Sequence, residues 1–144
     1  MKILALDIGD KRIGIATSDI LGVSVWPQKK FLRQNIEQDY EKLAERIEEH
    51  EPEVIVVGLP VNMDGSEGPQ AKKVRQFIAK LEKKMSEILS KSFSIEWVDE
   101  RLSSWDAENK LREKGLKGKQ VKEAVDSAAA CLMLEDYLRL KGKL

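Results

Sequence analysis

The run Val54 to Val57 is the most apolar stretch of the chain, and it constrains the fold more than any other feature. Its β-branched residues leave no polar side for solvent, so it reads as a central parallel strand covered on both faces. Pro52 stands before it, and Gly58, Leu59 and Pro60 terminate it. A second short apolar run, Ile3 to Leu6, ends at Asp7 and reads as another strand buried on both faces.

The remaining elements follow from periodicity and punctuation. Gly9 and Asp10 supply turn chemistry, and Ile13, Ile15 and Thr17 alternate with Gly14 and Ala16 as a second strand. Gly22 marks the next turn. Val23 and Val25 open a third strand, which Pro27 assigns to an edge or to an irregular position. These first three strands predict an antiparallel meander.

Ile36, Tyr40, Leu43, Ala44 and Ile47 keep helical spacing up to Pro52. The loop NMDGSEGP follows the central strand, and Val74, Phe77, Ile78, Leu81, Met85, Ile88 and Leu89 then predict a long amphipathic helix. Ile95 and Trp97 belong to a strand ending near Asp99 and Glu100. Ser103 or Ser104 is placed to cap a helix through about Glu113, which Gly115 and Gly118 break. Val121 to Leu140 is the last helix. The order β-β-β-α-β-α-β-α-α predicts an α/β fold with a mixed five-stranded sheet and helices on both faces. In such sheets ligands gather beyond the carboxyl ends of the parallel strands.

At 144 residues the chain suits a single domain spanning 1–144. Its 42% hydrophobic and 35% charged residues are a globular balance, too apolar for a disordered chain. Formal net charge is zero, so global charge gives no support for nucleic-acid binding. Acids crowd residues 37 to 53, whereas Lys110, Arg112, Lys114, Lys117, Lys119 and Lys122 oppose only Glu113. Such a split leaves room for one basic face; a solvated surface loop is the plainer account. Cys131 is the lone cysteine, which excludes an internal disulfide and fits a reducing cytoplasm. The start MKILALDIG lacks a signal-peptide layout, and no apolar run approaches the roughly 20 residues of a membrane span.

Three acids carry the chemical argument. Asp7 follows a buried run, a position equally suited to a turn former. Glu100 follows the last strand and is placed to project from the same sheet edge. Asp126 sits in an apolar stretch, where a lone charge is expensive; it either pairs with a neighbouring base or is neutralised by a metal. Converging carboxylates repel one another, and Mg²⁺ or Mn²⁺ removes the conflict because hard cations prefer carboxylate oxygen and water. Such ions activate a water and stabilise the leaving oxygen of a phosphodiester. His50 reads as a surface residue, Cys131 as core, and one His with one Cys cannot furnish a usual structural zinc site. The loop Gly58 to Gly68 lacks the phosphate-loop pattern GxxxxGK[ST]. Trp26, Trp97 and Trp105 are candidates for base stacking, but buried or partly buried roles are the expectation for each.

Four blocks taken together resemble the YqgF family, also called RuvX-like, of RNase H-fold nucleases. They are LALDIGDKRIGIATSD at 4–19, VVGLPVNMDGSEGPQA at 56–71, VDERLSSWDAE at 98–108 and VDSAAACLMLEDYL at 125–138. The resemblance implies an RNase H-like domain and a divalent-metal-dependent hydrolase. Its catalytic, metal-holding acids fall on Asp7, Glu100 and Asp126. It places Lys11, Arg12 and Arg101 beside those acids as phosphate contacts, and Asn62 and Ser66 in a loop lining the substrate. Asp99 beside Glu100 leaves open which carboxylate reaches the metal, and strand alternation allows only one; the family pattern favours Glu100.

The substrate implied is pre-16S ribosomal RNA, cut in maturing its 5′ end, and the alternative is a Holliday junction in branched DNA. A resolvase cuts two strands symmetrically and would act as a dimer; the sequence is compatible with a monomer or a weak homodimer. Two remoter readings are an ATP-dependent phosphotransfer domain, since DIGDKRIGIA also resembles a phosphate loop of the actin and sugar-kinase group, and a non-catalytic nucleic-acid module. The short chain argues against the first, and the presence of all three acids against the second.

Overall fold

The computed structural model describes residues 1–88, 93–99 and 127–142. Strand β1 (Ile3–Ile8) pairs antiparallel with β2 (Arg12–Ser18), and β2 pairs antiparallel with β3 (Val25–Leu32). On its other side β1 pairs parallel with β4 (Val54–Leu59), which pairs parallel with β5 (Ser94–Asp99). The sheet order is therefore β3-β2-β1-β4-β5, with the meander at one end and parallel strands at the other. Pro27 lies in an edge strand, where its missing N–H costs no ladder bond on the open side.

Strand alternation divides the core into two layers. Leu4, Leu6, Ile8, Ile13, Ile15, Ile55 and Val57 face helices α1 (Ile36–His50) and α2 (Pro69–Ile88). Ile3, Ala5, Ala16, Val54 and Val56 face helix α3 (Ala128–Leu140). The apolar runs Ile3–Leu6 and Val54–Val57 are continuous for this reason: both faces of each strand are covered. Helix α1 opens on Asn35, whose side chain accepts the N–H of Gln38, and closes on Glu51 in the left-handed region just before Pro52.

Some expectations need correction. Trp26 is 54% exposed, with its indole N–H donated to Ser24 Oγ at 3.1 Å, because β3 is an edge and carries it outward. Trp97 is partly buried against the α1/α2 layer, as expected. Within the acidic run, Asp39, on the first turn of α1, is only 2% exposed. His50 is half-buried rather than on the open surface, and burial, helped by nearby Lys2, lowers its pKa. Cys131 is buried in the α3 layer as expected. The last helix, expected from Val121, begins at Ala128 with Ser127 outside it; residues 121–126, the helix expected near Ser103 to Glu113, the basic segment 110–122 and Trp105 lie outside the described residues.

Candidate active site at the carboxyl end of β1

Asp7 is the penultimate residue of β1 and stands directly across from Gly14 of β2. Its odd position puts it on the α3 face with Ile3 and Ala5, and it remains half-buried. Gly14 offers no side chain beside it. The β2–β3 register slips by one residue at this point, between Ile13 paired with Phe31 and Ile15 paired with Gln28. This bulge opens the ladder where Asp7 faces Gly14.

Ser127, which precedes α3, closes the opening. Its Oγ accepts the backbone N–H of Ile15 at 3.2 Å and donates to the carbonyl of Gln28 at 2.8 Å. The hydroxyl is thus inserted between two residues paired in register, and it makes no cap bond to its own helix. The amino end of α3 is pinned within one residue of Asp7's register. Asp126 is the residue immediately before Ser127 in the sequence, and it lies outside the described residues, as do Glu100 and Arg101.

Asp99 pairs in register with Leu59, so it shares the α1/α2 face with Ile95 and Trp97. It therefore stands on the opposite face from Asp7. Among the described residues no group of three or more His, Cys, Asp or Glu is placed to hold a metal. Asp7 contributes the hard oxygen donor that a divalent cation of the Mg²⁺ type prefers.

The basic residues lie in the turn after Asp7. Gly9 N–H donates to the Arg12 carbonyl at 3.0 Å, and a Cβ on Gly9 would lie 2.8 Å from that oxygen, so the turn requires glycine. Lys11 is exposed in the turn and Arg12 opens β2 with an exposed side chain. Arg33 braces the turn from outside. Its Nη1 donates to the Gly9 carbonyl at 2.9 Å and its backbone N–H to the Lys11 carbonyl at 2.9 Å. Its Nε pairs with Asp39 at 3.0 Å, and the other Asp39 oxygen accepts the Gln34 N–H. Sequence reasoning missed Arg33, Asp39 and Ser127. The one available signal was an acid at helix position 39 between the apolar residues Ile36 and Tyr40.

Asn62 and Ser66 occupy the loop after β4, at the same end of the sheet. Asn62 Nδ2 donates to Ser66 Oγ at 3.0 Å, while Ser66 donates its N–H and hydroxyl to Asp64 Oδ1. Those bonds, the hydroxyl's first, hold the Asp64 carboxyl below the usual carboxylate range. Glu67 is lowered likewise by its hydrogen bond from Arg75, whose guanidinium lies 4.7 Å from the Trp97 ring centroid. The loop is closed on itself, and Gln70 ties the helix after it to the β1–β2 turn through Asp10 at 3.3 Å.

A sequence model of the family described as RuvX, Holliday junction resolvase, matches residues 1–140. The chain belongs to the RuvX family. It is thus a member of a nuclease family, hydrolases acting on phosphodiester bonds. A relative from Halothermothrix orenii is 41% identical over 144 residues, covering all of this chain and 99% of its own. One from Fusobacterium nucleatum is 39% identical, covering 96% of each chain. Both are named for a proposed role as pre-16S rRNA nucleases. Among solved structures, Thermus thermophilus RuvC matches with a TM-score of 0.64 at 10% identity, covering 99% of this chain and 98% of its own. The yeast mitochondrial Holliday junction resolvase matches with a TM-score of 0.60 at 10% identity, covering 98% and 79%. These likenesses show for this RuvX chain the RNase H-like fold that the motif resemblance implies. No helix among the described residues is long and apolar enough to cross a membrane.

Proposed function

We propose that this RuvX-family chain is a single-domain, divalent-metal-dependent nuclease of the cytoplasm that trims the 5′ end of pre-16S rRNA. The observation that carries the reading is the meeting of Asp7 and the start of α3 at one sheet end. Ser127 is fixed to Ile15 and Gln28 beside the Asp7–Gly14 pair, and Asp126 precedes it in the chain. Asp7, Glu100 and Asp126 are the acids that would hold Mg²⁺ or Mn²⁺, which supplies activation of the attacking water and charge for the leaving oxygen. The backbone of Asp7 is held at that position by the pairing of β1 with β2. Lys11, Arg12 and Arg101 bind phosphate oxygens next to the cut, and Asn62 and Ser66 shape the loop along which the strand lies. RNA as substrate rests on the names that the relatives carry.

The second reading is cutting of four-way DNA junctions, favoured by the description of the RuvX family itself. One experiment separates the two. Wild type, Asp7→Asn, Glu100→Gln and Asp126→Asn are assayed with Mg²⁺ or Mn²⁺ on a pre-16S rRNA fragment and on a four-way junction. The RNA is expected to be cut by wild type alone. Undiminished cutting by any variant removes that acid from the site, and symmetric cutting of the junction with the RNA left intact reverses the substrate assignment.

A further inference from the structure

The sheet end that carries Asp7 has a cavity on its opposite face. Its volume is about 180 Å³, and it lies between the β1–β2 turn and the first half of α2. Ile8, the residue after Asp7, lines it together with Phe77. The polar lining comes from Asp10, Arg33, Gln70, Lys73, Gln76 and Lys80.

The charges here are arranged unequally. Arg33 is rigid: Nε is held by Asp39, Nη1 by the Gly9 carbonyl, and the guanidinium carbon sits 4.8 Å from the Phe77 ring centroid. Its Nη2 has no hydrogen-bond partner among the described residues, so one donor of a fixed fork remains unused. Lys73 and Lys80 are seven positions apart, two turns of one helix face, and both are exposed. Neither makes an ion pair among the described residues. On the same helix Arg75 is paired with Glu67 and Lys84 with Glu37. What sets Lys73 and Lys80 apart from the other exposed lysines of α2 is that both line one cavity. Asp10 opposes an anion there, with its Oδ1 held by Gln70. Two lysines against one acid favour a singly charged phosphodiester over a more highly charged terminal phosphate.

We propose that this cavity binds a backbone phosphodiester of the nucleic acid, away from the cut, with Lys73 and Lys80 as its cations and Arg33 as a fixed donor. The inference rests on the nuclease reading, which puts the cut phosphate at Asp7. A strand leaving Asp7 over the end of β1 reaches the cavity beside Ile8 and Asp10. The two faces of one sheet edge thus divide the labour: the α3 face holds the scissile group, and the α1/α2 face holds the strand.

The test is fluorescence anisotropy with labelled single-stranded RNA and, separately, a labelled four-way DNA junction, with chelator present so that no strand is cut. Wild type, Lys73→Gln/Lys80→Gln and the control Lys83→Gln are compared over a range of salt, after melting curves have shown each to be folded. Lys83 is exposed on α2 and does not line the cavity. The double variant is expected to bind about tenfold more weakly and to lower the slope of log affinity against log salt by about 2, one for each lysine. Lys83→Gln is expected to match wild type. Inorganic phosphate is expected to compete no better than chloride at equal ionic strength. Unchanged affinity and slope in the double variant overturn the proposal, as does equal weakening by Lys83→Gln, which would show a diffuse charge effect. Strong competition by inorganic phosphate overturns the assignment to a phosphodiester. If wild type cuts nucleic acid and Asp7→Asn does not, these failures bear on the cavity alone. If wild type neither binds nor cuts, the nuclease reading falls with it.

Discussion

Ser127 stands in the hydrogen-bond ladder beside Ile15, accepting its backbone N–H at 3.2 Å and donating its hydroxyl to the Gln28 carbonyl at 2.8 Å. A helix is thereby keyed to a strand through one side chain, at the bulge across from Asp7. Ser127→Ala leaves a buried N–H and a carbonyl without this partner, at a cost of about 1–3 kcal/mol. Urea unfolding measures that loss. Cleavage by the folded variant is expected to fall further than stability does, because Ser127 fixes the start of α3 beside the Asp7–Gly14 pair.

The brace at Arg33 makes a second prediction. Arg33→Met keeps packing against Phe77 but leaves Asp39, 2% exposed, as a buried charge without its cation. The expected loss is about 3 kcal/mol, the lower range for breaking a buried pair because Arg33 is partly solvated. Arg75→Met, which breaks the exposed pair with Glu67, is expected to leave the urea midpoint nearly unchanged.

Metal binding is read from melting curves. Mg²⁺ or Mn²⁺ at about 100 times its Kd stabilises a folded site by about 2.7 kcal/mol. For a chain of this length that is a rise in Tm of about 5–10 °C. Asp7→Asn is expected to abolish the rise, and an equal rise in both proteins would remove Asp7 from the metal site.

Alkaline pH tests the α3–β5 contact. Burial, then the hydrogen bond with Glu96, pushes the Tyr137 pKa up to about 12 from the ordinary 10.0. Folded protein therefore holds this proton more tightly than unfolded protein. The stabilisation is complete below pH 10 and drains away as pH rises through about 12. Denaturation measured along that range is expected to show a steeper loss in wild type than in Tyr137→Phe.

The described part of the candidate site was legible in the sequence where its parts are local patterns. The run Ile3–Leu6 ending at Asp7, the GD turn, and the NMDGSEGP loop each announce themselves by residue type. What could not be read were partners distant in sequence. Arg33 and Asp39 look like ordinary members of a charged helix start until the turn at Gly9 is folded against them. Ser127 falls inside the stretch that reads as the last helix, yet it precedes α3 and its hydroxyl is spent on strands β2 and β3. The lining of the cavity on the α1/α2 face joins Asp10 of the β1–β2 turn, Arg33 of the β3–α1 link, and Lys73 and Lys80 of α2.

By itself the sequence determined the kind and order of the described elements and placed Asp7 at a strand end, since apolar period and turn residues act over a few positions. It also determined family membership, through four motifs in order. The tertiary structure decided which face each residue occupies. It placed Trp26 on an open edge, Asp99 opposite Asp7, and Asp39 in the interior under Arg33. Those outcomes depend on strand order, on register and on which helix covers which face. They are set by burying two apolar layers around one sheet, a condition that no local stretch of sequence contains.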